Sequence, residues 1–144
     1  MRIFVDTSII LAFLAGQDDR AKDLMRKVER HEITGYINPL VIDEVIHGYL
    51  RLATGLSARR IRKLLARRDE RLIKMIKGEV WPVLKLFTTL PLMAEPGEII
   101  EFIEEYGLMP ADALIALTCK QHELDTIATL DEDFKRIPWL KVVP

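Results

Sequence analysis

The sequence has little of several features that would assign it to a class at once. It contains one cysteine, Cys119, so no disulfide can form within the chain, and this favours a reducing compartment. No apolar run approaches the roughly 20 residues of a membrane-spanning helix. Arg2 and Asp6 interrupt the N-terminal apolar run, which is too short for a signal peptide. These absences predict a cytoplasmic protein with no membrane segment.

The chain also has almost no net charge, since 21 basic and 22 acidic residues cancel to −1. The cancellation hides a local imbalance, because residues 51–77 contain ten basic side chains against two acids, Asp69 and Glu70. A segment of this kind predicts a surface that binds a polyanion. The alternative is a charged helix whose long side chains only cover apolar neighbours.

What the sequence does contain fits one α/β domain that spans residues 1–144. With 49% hydrophobic residues, a chain of 144 residues can bury one core but has no room for a second domain. Short β-branched and aromatic runs alternate with segments whose apolar residues recur at helical spacing. Strands separated by helices predict a mainly parallel central sheet of about five short strands, flanked by helices on both faces.

The predicted strands are 3–5, 35–37, 88–93, 126–129 and 141–143, the last at a sheet edge. The first predicted helix begins near Ile9. The other predicted helices cover 20–31, 39–53, 57–78, 81–87, 97–106 and 110–122. The helix over 57–78 has one apolar stripe, which consists of Ile61, Leu64, Leu65, Leu72, Ile73 and Ile76. Gly55 is predicted to end the helix before it.

Carboxylates follow two of the predicted strands directly. Asp6 comes straight after the apolar run 3–5, and Asp131 and Asp133 follow the strand 126–129 in the segment ATLDEDF. Helix N-termini and loops converge at the carboxyl edge of an open parallel sheet, so ligands and chemistry collect there. Capping of the next helix and an ordinary acidic turn are the structural alternatives.

Two further acids interrupt apolar helices. Glu44 lies in PLVIDEVIHGYL, a helix that should pack on the sheet. The adjacent Asp43 points about 100° away, so only one of the two can face the same cleft as Asp6. Asp112 opens PADALIALTC, a helix that is apolar on nearly every side, where a carboxylate either interacts with the helix dipole or belongs to a site. All these acids are therefore expected at one edge of one sheet.

A cluster of unpaired carboxylates predicts a metal site. The acids repel one another and raise one another's pKa, so they persist in ionised form at neutral pH only when cations neutralise them. Oxygen-only ligands favour Mg²⁺ or Mn²⁺, and the absence of a set of cysteines or histidines argues against zinc. Two such ions about 4 Å apart could activate water and stabilise the leaving oxygen of a phosphodiester.

Other chemistries fit only single features of these residues. A haloacid-dehalogenase-type phosphatase also begins with a strand that ends in Asp, but it needs a second Asp where this chain has Ser8. Glu44 and His47 have the spacing of a carboxylate-bridged di-iron helix, yet the required second copy is missing. Trp81 and Trp139 show no spacing suited to a base-stacking platform, so both are assigned to the core. Cys119 is expected to be a small buried hydrophobic residue.

The segments FVDTSII, VIDEV, PADALIALT and ATLDEDF, in this order and over nearly the full chain, resemble the PIN-domain family, especially its small VapC-type toxin ribonucleases. The first and third segments match closely, and the second reduces to one Glu in an apolar helix. The resemblance implies a catalytic and metal-binding set that consists of Asp6, Glu44, Asp112 and Asp131. One departure is the segment Asn38-Pro39-Leu40, which stands where a segment with Ser or Thr is commoner.

The resemblance also implies additional residues around this set. Asp133 is an outer or additional metal ligand. The supporting hydroxyl near the first acid belongs to Thr7 or Ser8, and the one before the fourth acid belongs to Thr129. The basic segment adds a prediction of its own: pairing of two copies would place two such segments beside two acidic sites. In that groove the RNA phosphates are expected to be held, without reading of bases, by Arg59, Arg60, Arg67 and Arg68.

The activity implied by the resemblance is endonucleolytic cleavage of RNA that depends on Mg²⁺ or Mn²⁺, as the toxin of a VapBC-type pair. The alternatives are a housekeeping RNA-processing nuclease of the same family and a non-catalytic module that binds RNA or a partner. The expected partners are an RNA substrate, an antitoxin protein and a second copy of the chain. Part of the apolar stripe in 57–78 is predicted to pack on that second copy.

Overall fold

The first strand, β1 (Arg2–Val5), lies at the centre of the sheet. In this computed structural model, which describes residues 1–144, Ile3, Phe4 and Val5 are fully buried, as expected for a parallel strand covered on both faces. The other strands are β2 (Thr34–Ile37), β3 (Thr88–Thr89), β4 (Thr126–Ala128) and β5 (Lys141–Val143). All neighbours pair in parallel in the order β3-β2-β1-β4-β5, so the predicted five-stranded sheet is confirmed.

Helices connect the strands on both faces of this sheet. The connection from β1 to β2 contains α1 (Thr7–Leu14) and α2 (Asp19–Glu29). The connection from β2 to β3 contains α3 (Pro39–Thr54), α4 (Ala58–Ala66), α5 (Glu70–Met75) and α6 (Trp81–Leu84). The connection from β3 to β4 contains α7 (Pro96–Tyr106) and α8 (Pro110–Gln121). Because parallel crossovers are right-handed, and only the third one runs back across the sheet, α7 and α8 cover the face opposite to α1–α6.

Close packing on the first face depends on a small residue in β2. A Cβ at Gly35 would lie 2.7 Å from the Phe87 ring, so only glycine lets that ring pack against the strand. A 3-10 turn, Glu132–Arg136, joins β4 to β5 and buries Phe134 completely. No helix has both the length and the apolar character that crossing a membrane requires.

The basic segment forms two helices, so the prediction of one helix over 57–78 is wrong. Helix α4 ends at Ala66, and Arg68 adopts a positive φ of 54°. Asp69 then caps α5, because its carboxylate accepts the Leu72 N–H at 3.2 Å. A π-helical turn, Ile76–Val80, continues α5 into α6. The break lets both helices pack against the end of α3, where Leu50, Ile61 and Leu72 form a second apolar cluster.

Three smaller expectations have different outcomes. The strand predicted over 88–93 shortens to Thr88–Thr89, because Pro91 has no N–H to extend the ladder. Trp81 is 58% exposed, so the prediction that it lies in the core is wrong. Cys119 is fully buried, as predicted.

Candidate metal centre

Asp6 lies at the carboxyl end of the central strand, between β1 and α1. Its backbone N–H extends the ladder by donating to the Ala128 carbonyl at 2.9 Å. The residue occupies the N-cap position of α1, yet its side chain makes no capping hydrogen bond, so capping does not explain it. The side chain is 7% exposed, and this burial raises the carboxyl pKa although hydrogen bonds from Thr129 and Ser8 act to lower it.

Two hydroxyl groups hold the Asp6 carboxylate in place. Thr129 Oγ1 and Ser8 Oγ both donate to Asp6 Oδ2, at 2.7 Å and 3.0 Å. The same two oxygens accept backbone N–H groups, Ser8 from Leu130 and Thr129 from Asp131, each at 3.0 Å. Both hydroxyl bonds are on Oδ2, so Oδ1 remains available as a ligand atom.

Glu44 reaches the same edge from the first half of α3. Its Oε1 atom is buried without a hydrogen-bond partner, and so is Thr7 Oγ1. Burial, and then the charges of Asp6 and Asp43, raise the Glu44 pKa, whereas the nearby Thr7 hydroxyl acts to lower it. Asp43 itself is exposed. The helix therefore turns Glu44 and not Asp43 toward Asp6, in the orientation expected from the helical repeat.

Asp112 lies in the first turn of α8, after a Met109 N-cap that provides no side-chain hydrogen bond. Its pKa is raised to about 6, mainly by burial and then by the charges of Asp131, Asp6, Asp133 and Glu44. A helix N-terminus acts in the opposite direction, because it stabilises a carboxylate. The dipole therefore does not account for the state of this residue.

Asp131 and Asp133 come from the loop that follows β4. The Asp131 side chain caps the 3-10 turn by accepting the Asp133 N–H at 2.9 Å, so the acidic-turn interpretation is partly correct. Asp133 pairs with Arg136 at 2.9 Å, and the same guanidinium donates to the Gly107 carbonyl at 2.8 Å. Arg136 therefore ties this loop to the segment that leads into α8.

All five predicted acids lie at the carboxyl edge of the sheet, in two groups. Carboxylate oxygens of Asp112, Asp131 and Asp133 lie within 4.8 Å of one another. Asp6 and Glu44 are outside this close group, but their charges contribute to the raised pKa of Asp112. The donors are oxygens only, one Glu44 oxygen is buried and unpartnered, and the only ion pair is on Asp133. This donor set fits a hard divalent cation such as Mg²⁺ or Mn²⁺.

Two residues of this region make contacts that the sequence did not predict. Arg136 could have been noticed from its spacing of three residues from Asp133 on a helical turn. Asn38 is fully buried, and its Oδ1 caps α3 by accepting the Val41 N–H at 3.0 Å. Its Nδ2 donates to Thr118 Oγ1 at 3.0 Å, which links the start of α3 to α8. Asn38 thus connects the two helices that carry Glu44 and Asp112.

The four arginines predicted to hold phosphates lie away from the acids. Arg59 and Arg60 are on α4, Arg67 and Arg68 are at the α4–α5 break, and all four are exposed. None of the ten basic residues in 51–77 forms an ion pair, since every ion pair lies within 18–27 or 132–136. The positive charge of this surface is therefore not neutralised within the chain.

The fold and the site together define a class of protein, an α/β domain that holds a carboxylate cluster at the carboxyl edge of a parallel sheet. Residues 3–140 match the PIN domain, and the chain belongs to the PIN-domain family, as the sequence predicted. Ribonuclease VapC2 of Methanocaldococcus jannaschii is 38% identical over 146 residues, which cover 99% of this chain and 93% of that protein.

Solved structures show the same fold. One is the structure of VapBC2 from Rickettsia felis bound to a DNA fragment from the VapBC2 promoter. It superposes with a TM-score of 0.65 at 19% identity, over 99% of this chain and 98% of that chain. FitAcB from Neisseria gonorrhoeae gives a TM-score of 0.62 at 25% identity, over 100% and 97% of the two chains.

Proposed function

We propose that this protein is an endoribonuclease of the VapC type that depends on Mg²⁺ or Mn²⁺ and acts as the toxin of a toxin–antitoxin pair. The observation that carries the proposal is the convergence of five carboxylates, of which three have oxygens within 4.8 Å of one another. Their only ion-pair partner is Arg136. The similarity to a protein named Ribonuclease VapC2, at 38% identity along nearly the whole chain, supports the choice of RNA as substrate.

The side chains of such a site would have different roles. Asp112, Asp131 and Asp133 would hold the metal, with Asp6 and Glu44 completing the set. When bound, a divalent ion supplies Lewis acidity and lowers the pKa of water. Ser8 and Thr129 fix the orientation of Asp6 through their hydrogen bonds to Oδ2. Glu44 has a raised pKa and an unpartnered oxygen, which suit a group that takes a proton from an attacking water.

The test of the site is cleavage of a labelled structured RNA by the wild-type chain and by Asp6→Asn, with Mg²⁺, with Mn²⁺ and with chelator. We expect cleavage by the wild type that chelator abolishes, and none by the variant. The variant should remain folded, with equal or higher thermal stability without metal, because one charge leaves a repulsive cluster. Asp43→Asn is the matched control, since Asp43 is exposed on the same helix as Glu44. Full activity of Asp6→Asn at ordinary Mg²⁺ concentrations would rule out the assignment of the site.

The proposed partners are an RNA, an antitoxin and a second copy of the chain, all in the cytoplasm. Arg59, Arg60, Arg67 and Arg68 would hold phosphates, since they are exposed and unpaired. Expression of the chain alone should arrest growth of its host, and co-expression of a short neighbouring gene product should relieve the arrest and co-purify with it. A chain that cleaves RNA without arresting growth would instead be a housekeeping nuclease. A chain that binds RNA without cleaving it would be a non-catalytic module.

A further inference from the structure

Trp81 is the only aromatic side chain among the large hydrophobic residues that the fold leaves exposed, with 58% of its surface accessible. It is the first residue of α6, directly after the π-helical turn. Its carbonyl accepts the Lys85 N–H at 3.0 Å, so the backbone that presents the ring is regular and ordered. A single exposed apolar residue needs no partner by itself, so the case for one at Trp81 depends on what surrounds the ring.

The ring borders a small apolar depression between α3, the π-helical turn, α6 and the end of β3. Its lining consists of Ile42, Ile46, Ile76, Val80, Trp81, Leu84 and Thr89. The depression has few polar groups to offer a partner, so a ligand there would be held by stacking and apolar contact rather than by hydrogen bonds.

The depression lies on the same edge of the sheet as the acidic cluster. Thr89 pairs with Ile37 in β2, one step beyond the level at which Tyr36 pairs with Phe4 of β1. Thr89 is therefore level with Val5, the residue before Asp6. Two strand spacings separate β3 from β1, so Thr89 lies about 10 Å from the end of β1 along the sheet edge. One extended ligand could contact both places.

The cations around Trp81 match a polyanion, and the one acid between Lys77 and Lys85, Glu79, accepts a hydrogen bond from the Tyr49 hydroxyl. Lys85 lies one helical turn after Trp81, and Lys77 lies about one turn before it, since the Trp81 N–H donates to the Ile76 carbonyl. Both lysines are exposed and neither forms an ion pair. The nine other unpaired cations of residues 51–77 precede Lys77 along the chain. An apolar protein surface would cover the ring alone, whereas a nucleic acid covers the ring with a base and also neutralises the cations along its backbone.

We infer that Trp81 is a stacking platform for an unpaired base of an RNA strand whose phosphates lie along Lys77, Lys85 and the basic segment. Bases stack on aromatic side chains in sequence-tolerant binding of single strands, while lysine and arginine hold the backbone. This inference rests on the proposed function, and it specifies the substrate class as RNA that is single-stranded next to the cleavage site. The ring and the carboxylates would then contact different nucleotides of the same strand.

The test uses the fact that the chain has two tryptophans. Trp139→Phe leaves Trp81 as the only one, so its fluorescence reports directly on this position. In the presence of chelator, an unstructured 12-nucleotide oligouridylate should quench that emission to saturation, and a duplex RNA of equal length should quench it much less. Trp81→Ala should weaken binding of the single strand about tenfold, and Trp81→Phe should largely restore it.

Salt dependence and kinetics separate stacking from charge effects. Trp81→Ala should leave the slope of log affinity against log salt unchanged, because no charge is lost, whereas Lys77→Gln with Lys85→Gln should flatten it. In cleavage assays, Trp81→Ala should raise KM with little change in kcat. Ile100→Ala is the matched control, because Ile100 is similarly exposed, at 61%, but lies on the glutamate-rich α7. It should change none of these quantities.

Two results would overturn the inference. One is equal affinity of Trp81→Ala and wild type for the single strand. The other is burial of Trp81 by protein, seen as a blue shift of its emission that depends on protein concentration without RNA and disappears on dilution. If the wild-type chain binds the oligonucleotide through Trp81 but cleaves no RNA with any metal, the proposed function fails and the stacking surface stands.

Discussion

Two opposing effects act on the pKa of the Asp112 carboxyl group, and their magnitudes can be compared. A helix N-terminus stabilises a carboxylate by roughly 0.3–1 kcal/mol, which corresponds to less than one pKa unit. The pKa of Asp112 instead rises from 3.8 to about 6, because burial and four neighbouring acids outweigh the dipole. An uncompensated carboxylate at this position therefore costs stability in the metal-free protein.

This cost predicts a pH dependence of stability. The folded chain keeps the Asp112 proton up to about pH 6, whereas the unfolded chain loses it near 3.8. As pH rises between these values, stability falls, and the penalty is complete above the folded pKa. The metal-free protein should therefore have a higher Tm at pH 5 than at pH 7. Asp112→Asn should raise the Tm at pH 7 and reduce this difference. Thermal denaturation with chelator provides the measurement, and an unchanged pH difference in the variant would contradict it.

The neighbouring pair Asp43 and Glu44 provides a prediction about orientation. Only Glu44 has a carboxylate oxygen buried near Asp6, and Asp43 is exposed. Glu44→Gln should lower kcat/KM at least about tenfold, or about 1.4 kcal/mol of barrier, and Asp43→Asn should lower it much less. Steady-state cleavage of the same labelled RNA compares the two variants. Equal losses would mean that Glu44 does not face the reacting phosphodiester.

At the scale of elements, the break between α4 and α5 determines where the positive charge lies. Arg67 is the C-cap of α4 and Arg68 follows with positive φ, so both side chains project at a corner rather than along one continuous helix. The break also directs Ile61 and Leu72 into one cluster with Leu50. Some apolar residues of the basic segment thus pack inside the protein, whereas its charged side chains face solvent.

We predict that reversing both charges, Arg67→Glu with Arg68→Glu, weakens RNA binding and reduces its salt dependence. Each lost phosphate contact on a single strand should lower the salt slope by roughly 0.7. Mn²⁺ binding should not change, because the metal ligands lie on other elements. Filter binding across a salt series and calorimetric titration with Mn²⁺ measure the two quantities. Unaltered RNA affinity would mean that this corner contacts something other than RNA, such as an acidic antitoxin segment.

At the scale of the whole molecule, the structure has two parts of different size. The main core lies between the sheet and its helices, and the small cluster of Leu50, Ile61 and Leu72 holds α4 and α5 against the far end of α3. Leu64, Leu65, Ile73 and Ile76 are only partly buried. These four residues are the part of the predicted stripe that remains for a contact with a second copy.

We predict that the protein is a dimer in solution through these four residues, because a two-fold contact is the commonest way to cover such a surface. Sedimentation at micromolar concentration should give twice the 16.6 kDa mass of one chain. Leu64→Glu, which places a charge on the partly buried part of the stripe, should shift the distribution toward monomer. A wild-type monomer under these conditions would refute the prediction.

The sequence by itself determined the class of fold and the order of the elements, and it predicted that five acids would gather at one edge of the sheet. Helical and strand periodicities depend on local spacing, and the carboxylates stood out because they follow or interrupt apolar runs. Pro39, Pro110 and Gly55 marked helix boundaries in the same local way, because each acts through its own backbone geometry.

Only the tertiary structure decided which groups are close to one another. The distance between Asp112 and Asp131 depends on how α8 and the loop after β4 pack, and the pairs Asn38–Thr118 and Asp133–Arg136 depend on contacts that local periodicity does not encode. The break at Arg68 was also missed, because an apolar stripe can continue across a turn when both helices pack on the same neighbour. Trp81 shows the converse, since whether an apolar residue is buried depends on what the rest of the chain places over it.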